Sequence, residues 1–238
     1  MTKPRALLSW SSGKDSAWAL HVLRRRAGYE VVGLVTTINE AAERVAMHAV
    51  RTELLAAQAE AAGLPLWSVP IPSPCSNAQY EHAMSGLIER ANAAGVTAFA
   101  FGDVFLADIR AYRERQLAGT GLTPLFPLWL HPTEALARKM IGNGLRAVLT
   151  CVDPKQLDAR FAGRMFDEHF LAELPAGVDP CGERGEFHTF ACGGPMFRHD
   201  IAVRLGDIVE RDGFVFADVL ALRAWEGNEW LSRNAARC

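Results

Sequence analysis

The chain has 238 residues, half of them apolar and 22% charged, and 25 Lys and Arg against 27 Asp and Glu leave a net charge of −2. That mix supplies a core for one large domain, or one domain with a smaller appendage, and offers no broad basic footprint for nucleic acid. No apolar run approaches the roughly 18–20 residues that span a bilayer, and the N-terminal apolar segment is too short for a signal peptide. The five cysteines (Cys75, Cys151, Cys181, Cys192, Cys238) are odd in number and lack C-x-x-C spacing. A disulfide framework and a zinc ribbon are thereby disfavoured, and a cytoplasmic chain with reduced thiols is expected.

The first two thirds alternate strand and helix patterns. "ALLSW" reads as a buried strand, followed by a helix over Asp15–Arg26 whose "LRRR" end, Leu23–Arg26, is expected to be a solvated terminus. "EVVGLVTTI" is the best β-branched strand. Residues 43–62 read as one long helix stopped by Gly63 and Pro65, "LWSVPI" as a strand, and residues 77–94 as a helix stopped by Gly95. "TAFAFGDV" is a strand ending in the polar pair Gly102–Asp103, and a helix over residues 107–118 follows. Then come a short extended "TPLFPLW", a helix in "PTEALARKMIGNG" and a strand in "RAVLTCV". Strands without alternation, separated by helices, predict a doubly wound α/β fold with a mainly parallel sheet covered on both faces. Ligands of such sheets sit beyond the carboxyl ends of the strands. The loops at Ser11–Ser16, Thr36–Asn39 and Gly102–Asp103 should therefore converge on one crevice.

After about residue 155 the rhythm changes. "GRMFDEHFLAEL" reads as a helix, and a Gly/Pro/Cys-rich stretch precedes an alternating tail with a hairpin signal at Asp212–Gly213. The expected division is residues 1–154 as an α/β domain and 155–238 as a smaller, β-rich C-terminal lobe.

The first loop, "SSGKDS", fails the Walker A pattern: Leu8 stands where its first glycine belongs, and Asp15 replaces Ser or Thr after the lysine. It also fails the dinucleotide fingerprint, having one glycine of three. What remains is still an anion site. Ser12 and Gly13 let backbone N–H groups turn toward a phosphate at a helix N-terminus. The hydroxyls of Ser11, Ser12 and Ser16 can donate to its oxygens, Lys14 supplies a point charge, and Asp15 is positioned to hold Mg²⁺. A capped helix start accounts for any one of these residues, but not for six in this order after a strand. Gly102 permits close approach and Asp103 faces the crevice, so both are assigned to nucleotide or Mg²⁺ contact. Asp108 and Arg110 face the same crevice or form an exposed helix ion pair. In "CGERGEFHTF", Gly182 and Gly185 let the chain bend and bring Glu183 and Glu186 together. An extended continuation would point Glu186 and His188 to one face, beside Thr189. Carboxylates there can hold Mg²⁺, bind an ammonium or take its proton. A polar bulge joining two lobes is the competing reading.

"SSGKDS" resembles the S-G-G-x-D-S loop of the N-type ATP pyrophosphatases, or PP-loop proteins, with Ser12 where the usual loop has glycine. "FGDVFLADIRAYRERQLAGTGLTPLFPLW" and "DPCGERGEFHTF" narrow the resemblance to the diphthine–ammonia ligase family and its bacterial relatives, from about Leu7 to Phe197. The resemblance implies a HUP/Rossmann-like fold and an ATP-dependent ligase. Such an enzyme adenylates a substrate carboxylate, releases pyrophosphate and lets ammonia or an amine displace AMP. It further implies that Ser11–Ser16 grip the pyrophosphate end of ATP and that the backbone around Thr36 and Thr37 meets the adenine. Lys14, Asp15, Glu183 and Glu186 are the expected catalytic groups. Asp108, Arg110, His188 and Thr189 join those two glutamates on the substrate side, with ATP and Mg²⁺ as cofactors. A homodimer is compatible with this reading. Two alternatives remain open: a PP-loop sulfur-transfer enzyme acting on tRNA through Cys181 or Cys192, and a non-catalytic adenine-nucleotide-binding protein. The scattered histidines are assigned to structure or surface, with a thin case for His48 near the nucleotide.

Overall fold

The computed structural model describes residues 2–39, 44–45 and 50–222. A central strand β1 (Arg5–Ser9) buries Ala6, Leu7 and Leu8 completely, as a parallel strand covered on both faces must. It pairs in parallel with β2 (Glu30–Asn39) on one edge and with β5 (Ala98–Ala100) on the other. β4 (Leu66–Ile71) adds to β2, and β6 (Thr123–Leu125) adds to β5. The parallel order is therefore β4-β2-β1-β5-β6, with the reversal between β1 and β5.

Helices cover both faces. Leu7 and Leu8 point to opposite sides, so they fall in different apolar clusters. Leu7 joins Phe99 and the residues Met84, Leu87 and Ala91 of α3 (Asn77–Ala93), and Leu117 of α4 (Ala107–Leu117) belongs to the same cluster. Leu8 joins α1 (Lys14–Arg26), α2 (Thr52–Ala62) and α5 (Thr133–Gly142), in a core that continues into the C-terminal lobe.

That lobe is a four-stranded antiparallel sheet in the order β8-β7-β10-β9, built from β7 (Arg146–Val152), β8 (Phe187–Gly193), β9 (Val203–Arg211) and β10 (Phe214–Ala221). The hairpin at Asp212–Gly213 forms as expected, both residues having positive φ (53° and 80°). Among the described residues no helix is long and apolar enough to cross a membrane.

Three sequence expectations change. Of the helix expected over 43–62, the described residues form Thr52–Ala62, ended by Gly63 in the left-handed region. Ahead of it β3 (Arg44–Val45) pairs antiparallel with Ile38 and Asn39, because the open edge at the end of β2 outcompetes helix propensity. "RAVLTCV" is a strand, but as β7 it pairs with β8 and β10 rather than entering the parallel sheet. The helix expected in "GRMFDEHFLAEL" shrinks to α6 (Glu168–Glu173), since Met165 bridges to Val148 and Asp167 caps the late start by accepting from Phe170 N–H.

One buried polar side chain fastens the two sheets. Gln58 on α2 is fully enclosed; it accepts from Trp10 Nε1 (2.8 Å) and donates to the carbonyls of Ser12 (2.9 Å) and Ala191 (2.7 Å). Replacing it by Leu strands the indole N–H and the Ala191 acceptor in apolar surroundings. Gln58→Leu should lower stability by about 2–3 kcal/mol in urea titrations; a loss under roughly 0.5 kcal/mol would show that these bonds do not fasten the lobes.

Candidate active site

The site forms where strand order reverses, at the carboxyl ends of β1 and β5. The loop leaving β1 turns through Ser12 at φ 69°, the conformation for which the usual loop carries glycine. Its peptide is locked: the Ser12 carbonyl accepts from Gln58 and from Ala191 N–H (2.9 Å). The Ser12 hydroxyl is sealed, has no hydrogen-bond partner among the described residues and lines neither of the two cavities at this site. Ser12 therefore shapes the loop through its backbone, a correction to the expected hydroxyl contact. Gly13 then caps α1 without any side-chain acceptor. Instead Lys14 N–H donates across the lobes to Thr189 Oγ1 (3.0 Å), while Ser11 and Ser16 hydroxyls stand 3.3 Å apart at the crevice. Gly102, on the loop after β5, abuts this helix start: a Cβ there would lie 3.0 Å from Ser16 N.

Two adjoining cavities result. The polar one, about 270 Å³, lies between Ser11–Ser16 on one side and Gly182–Thr189 on the other. The second, about 190 Å³, is floored by Val35, Met84, Phe99 and Phe101 and edged by Thr36 and Thr37. Both linings include Ser9, Ser11 and Arg113, so those residues mark the junction. Thr36 Oγ1 is itself committed, donating to the Trp10 carbonyl (2.6 Å).

Charge is concentrated in the polar cavity. Lys14 is almost fully buried, its ammonium between the rings of Phe166 and Phe187 (5.4 and 5.3 Å to the centroids). It donates to Asp15 Oδ2 (2.8 Å) and to the Cys181 carbonyl. Burial alone would lower its pKa, but the acidic groups around it, Asp15 foremost with Cys181 and Glu183, together outweigh burial and hold it above the ordinary lysine value. Burial pushes the Asp15 carboxyl up against the pull of Lys14. Its second oxygen, Oδ1, is sealed and unpartnered, the donor left for a cation. Among the described residues no three His, Cys, Asp or Glu side chains cluster to hold a metal. A single carboxylate suits Mg²⁺, which takes its other ligands from phosphate and water, better than a resident transition metal. Glu183 accepts from Val104 N–H (2.8 Å), and burial, with Asp15 and Asp103 nearby, lifts its carboxyl to about 7. His188 lines the same cavity, and burial next to Lys14 depresses its imidazole to about 4, leaving it neutral at pH 7.

The remaining expected residues divide. Asp103 lines the polar cavity and pairs with Arg113 (2.7 Å), whose guanidinium lies over Phe101. Asp108 and Arg110 do not line it: Asp108 is exposed, and Arg110 pairs with Glu114 (2.7 Å) and stacks on Phe126 and Trp129. On α4 the inward positions are Ile109 and Arg113, one turn apart. Glu186 is buried outside the cavity lining, its oxygens accepting from Asp179 N–H and Arg184 N–H (both 2.9 Å). It shapes the turn, and because β8 begins only at Phe187, the expected pairing of Glu186 and His188 on one face does not arise. Thr189 contributes through Lys14 N–H. Cys181 Sγ donates to the Thr133 carbonyl, and burial pushes this thiol and Cys192, the latter to about 11, away from thiolate. The expectation for His48 falls outside the described residues. Arg113 and Gln58 carry no motif signal beyond a cation inside "FGDVFLADIRAYRER" and a lone amide on an otherwise apolar helix face.

Comparison with known proteins agrees with this geometry. The family model described as "Diphthamide synthase N-terminal domain" matches residues 4–124, and the one described as "Diphthamide synthase C-terminal domain" matches residues 132–221. The human protein named diphthine–ammonia ligase is 36% identical over 110 residues, 44% of this chain and 41% of that protein. The chain thus matches about two fifths of the length of the human relative. The Danio rerio protein of the same name is 31% identical over 242 residues, covering 90% of this chain and 91% of its own. That of Schizosaccharomyces pombe is 26% identical over 220 residues, 84% of this chain and 36% of its own.

The Glu183 carboxyl, raised to about 7 from 4.5, stabilises the fold while protonated. That contribution is complete below pH 4.5 and is lost as pH rises through 7. Glu183→Gln should therefore gain stability relative to the parent between pH 5 and pH 8. Urea midpoints at both pH values measure this; a difference that does not change with pH would refute the assignment.

Proposed function

The chain belongs to the diphthamide synthase family, and from that premise we propose that it is an ATP-dependent amide-forming ligase. It activates a carboxylate by adenylation, releasing pyrophosphate, and joins it to ammonia or an amine with loss of AMP. The observation that carries this reading is the pair of cavities meeting at Ser9, Ser11 and Arg113. One is floored by Val35, Met84, Phe99 and Phe101 with polar groups at its edge, suited to a base. The other is polar, bounded by the uncapped start of α1, and suited to a polyphosphate and an acyl group.

In this reading adenine enters beside Thr36 and Thr37, and the phosphates lie against Ser11, Gly13 and Ser16 at the positive end of α1. Arg113, at the junction, faces the phosphate that is attacked. Asp15 Oδ1 would hold Mg²⁺, which neutralises charge on the leaving pyrophosphate. Lys14 keeps one ammonium hydrogen beyond its bonds to Asp15 and Cys181 and stays charged at neutral pH. A carboxylate is a poor electrophile; the mixed anhydride with AMP supplies a leaving group, and alignment with charge neutralisation is what the protein adds. Glu183, titrating near 7 across the cavity, takes the proton released as the amine attacks. His188 is neutral and lines the acyl side, and Glu186 holds the turn that presents Glu183. The relatives' name specifies diphthine and ammonia; the carboxylate used by this chain is proposed only as a class, with free ammonia or a simple amine as donor.

Incubation with ATP, Mg²⁺, ammonia and carboxylate pools should yield AMP and pyrophosphate; ADP and phosphate would overturn the proposal. Asp15→Asn should reduce turnover per folded molecule by about 10²–10³-fold, in line with losing one charge-stabilising contact, and should also lower stability, because it removes the charged partner of buried Lys14. Turnover within a factor of two of the parent would remove Asp15 from the mechanism. In Glu183→Gln the acid limb of the kcat/KM profile near pH 7 should vanish, and its persistence would reassign the base.

A further inference from the structure

A cavity of about 500 Å³ lies on the other flank of α1, between that helix, α5 and the loop before α5. Its lining holds three cations, Arg25, Arg26 and Lys139, two histidines, His21 and His131, and Asn143, with no carboxylate. Among the described residues none of the three cations makes an ion pair or a side-chain hydrogen bond. Arg24, beside them in sequence, is spent differently, donating to the carbonyls of Met196 (2.8 Å) and Ala62 (2.7 Å). The floor is apolar and rigid: Trp18, Leu128 and Leu136 are buried, and the His21 ring stacks on Trp18 (centroids 4.5 Å, 29°). His131 Nδ1 stands 3.1 Å from the Leu128 carbonyl, an acceptor only, so Nδ1 carries the proton and Nε2 is left to the cavity side.

Cations in the last turns of α1 and α5 complement the helix dipoles. Dipole complementation does not explain two histidines set over a concave apolar floor, or the absence of an acidic partner among the described residues. We propose that this pocket is a second ligand site, distinct from the nucleotide crevice, for a small phosphomonoester with an apolar body. The size falls within the range of small-molecule pockets. The guanidinium groups and Lys139 would take the dianion, and the Trp18–His21 stack with Val22 and Leu128 would take the body. Burial depresses the His21 pKa first, and the nearby charges of Arg25 and Lys139 add to it.

Phenyl phosphate is the probe, added to the full chain at fixed ionic strength with calorimetry and imidazole NMR in parallel. The His21 resonances should move toward the protonated form on saturation, because a bound dianion offsets the neighbouring cations. The double variant Arg25→Ala/Lys139→Ala, both positions exposed, should bind about tenfold or more weakly, whereas Asp15→Asn should leave this affinity unchanged. Unchanged affinity in the double variant, or His21 resonances that do not respond, would overturn the proposal. Inorganic phosphate binding as tightly as phenyl phosphate would overturn the apolar-body requirement. Poly-glutamate shifting His21 where phenyl phosphate does not would replace it with an acidic protein partner.

Discussion

Lys14 holds an ammonium almost out of reach of water, and the structure is arranged around that charge. A buried cation is tolerated only when its donors find acceptors of matching charge or polarity. Lys14 finds one in its neighbour Asp15 and another in the Cys181 carbonyl, 167 residues further along the chain. The aromatic faces of Phe166 and Phe187 flank it. Each of those long-range partners belongs to the C-terminal lobe. Satisfying one side chain of the first loop therefore requires the second sheet to dock.

The backbone of the same loop repeats the demand. Ser12 O and Lys14 N are claimed by Ala191 and Thr189 of β8, and Gln58 closes the gap from α2. The loop is held from two elements at once, β8 and α2, which is how a serine persists at a positive φ. The arrangement also explains why the polar cavity lies at the seam. The groups that hold the lobes together are the neighbours of those that face the ligand, so loop geometry and lobe docking are one property. Helix α1 carries that rigidity away from the crevice: its first turn faces the polar cavity, and its last turns face the cationic pocket.

Much of the site was legible because short-range rules govern it. A strand followed by small residues, a lysine and a helix makes an uncapped helix start, whatever lies around it. Glu183 and Asp103 come to the polar cavity for a similar reason, since glycines beside them make turns at strand ends, and His188 lines it from the start of β8. Asp108 and Arg110 were misplaced because one residue along α4 rotates a side chain by about 100°, and only packing decides that Ile109 and Arg113 look inward. Glu186 was misread because a carboxylate on a Gly-rich turn is equally suited to binding backbone N–H groups as to binding a ligand, and the turn's own donors took it.

The sequence by itself determined the alternating α/β order, the parallel sheet, the hairpin at Asp212–Gly213 and the anion loop, all of which follow from local periodicity and backbone sterics. Tertiary structure decided what depends on partners distant in the chain. It sent β7 to the antiparallel sheet and gave the end of β2 to Arg44–Val45 instead of to a helix. It joined Arg113 to Asp103, and it lifted the Glu183 carboxyl to about 7. The reason is common to all four. Strand pairing and desolvation are set by which surfaces meet, and no local pattern of residues encodes the far side of a contact.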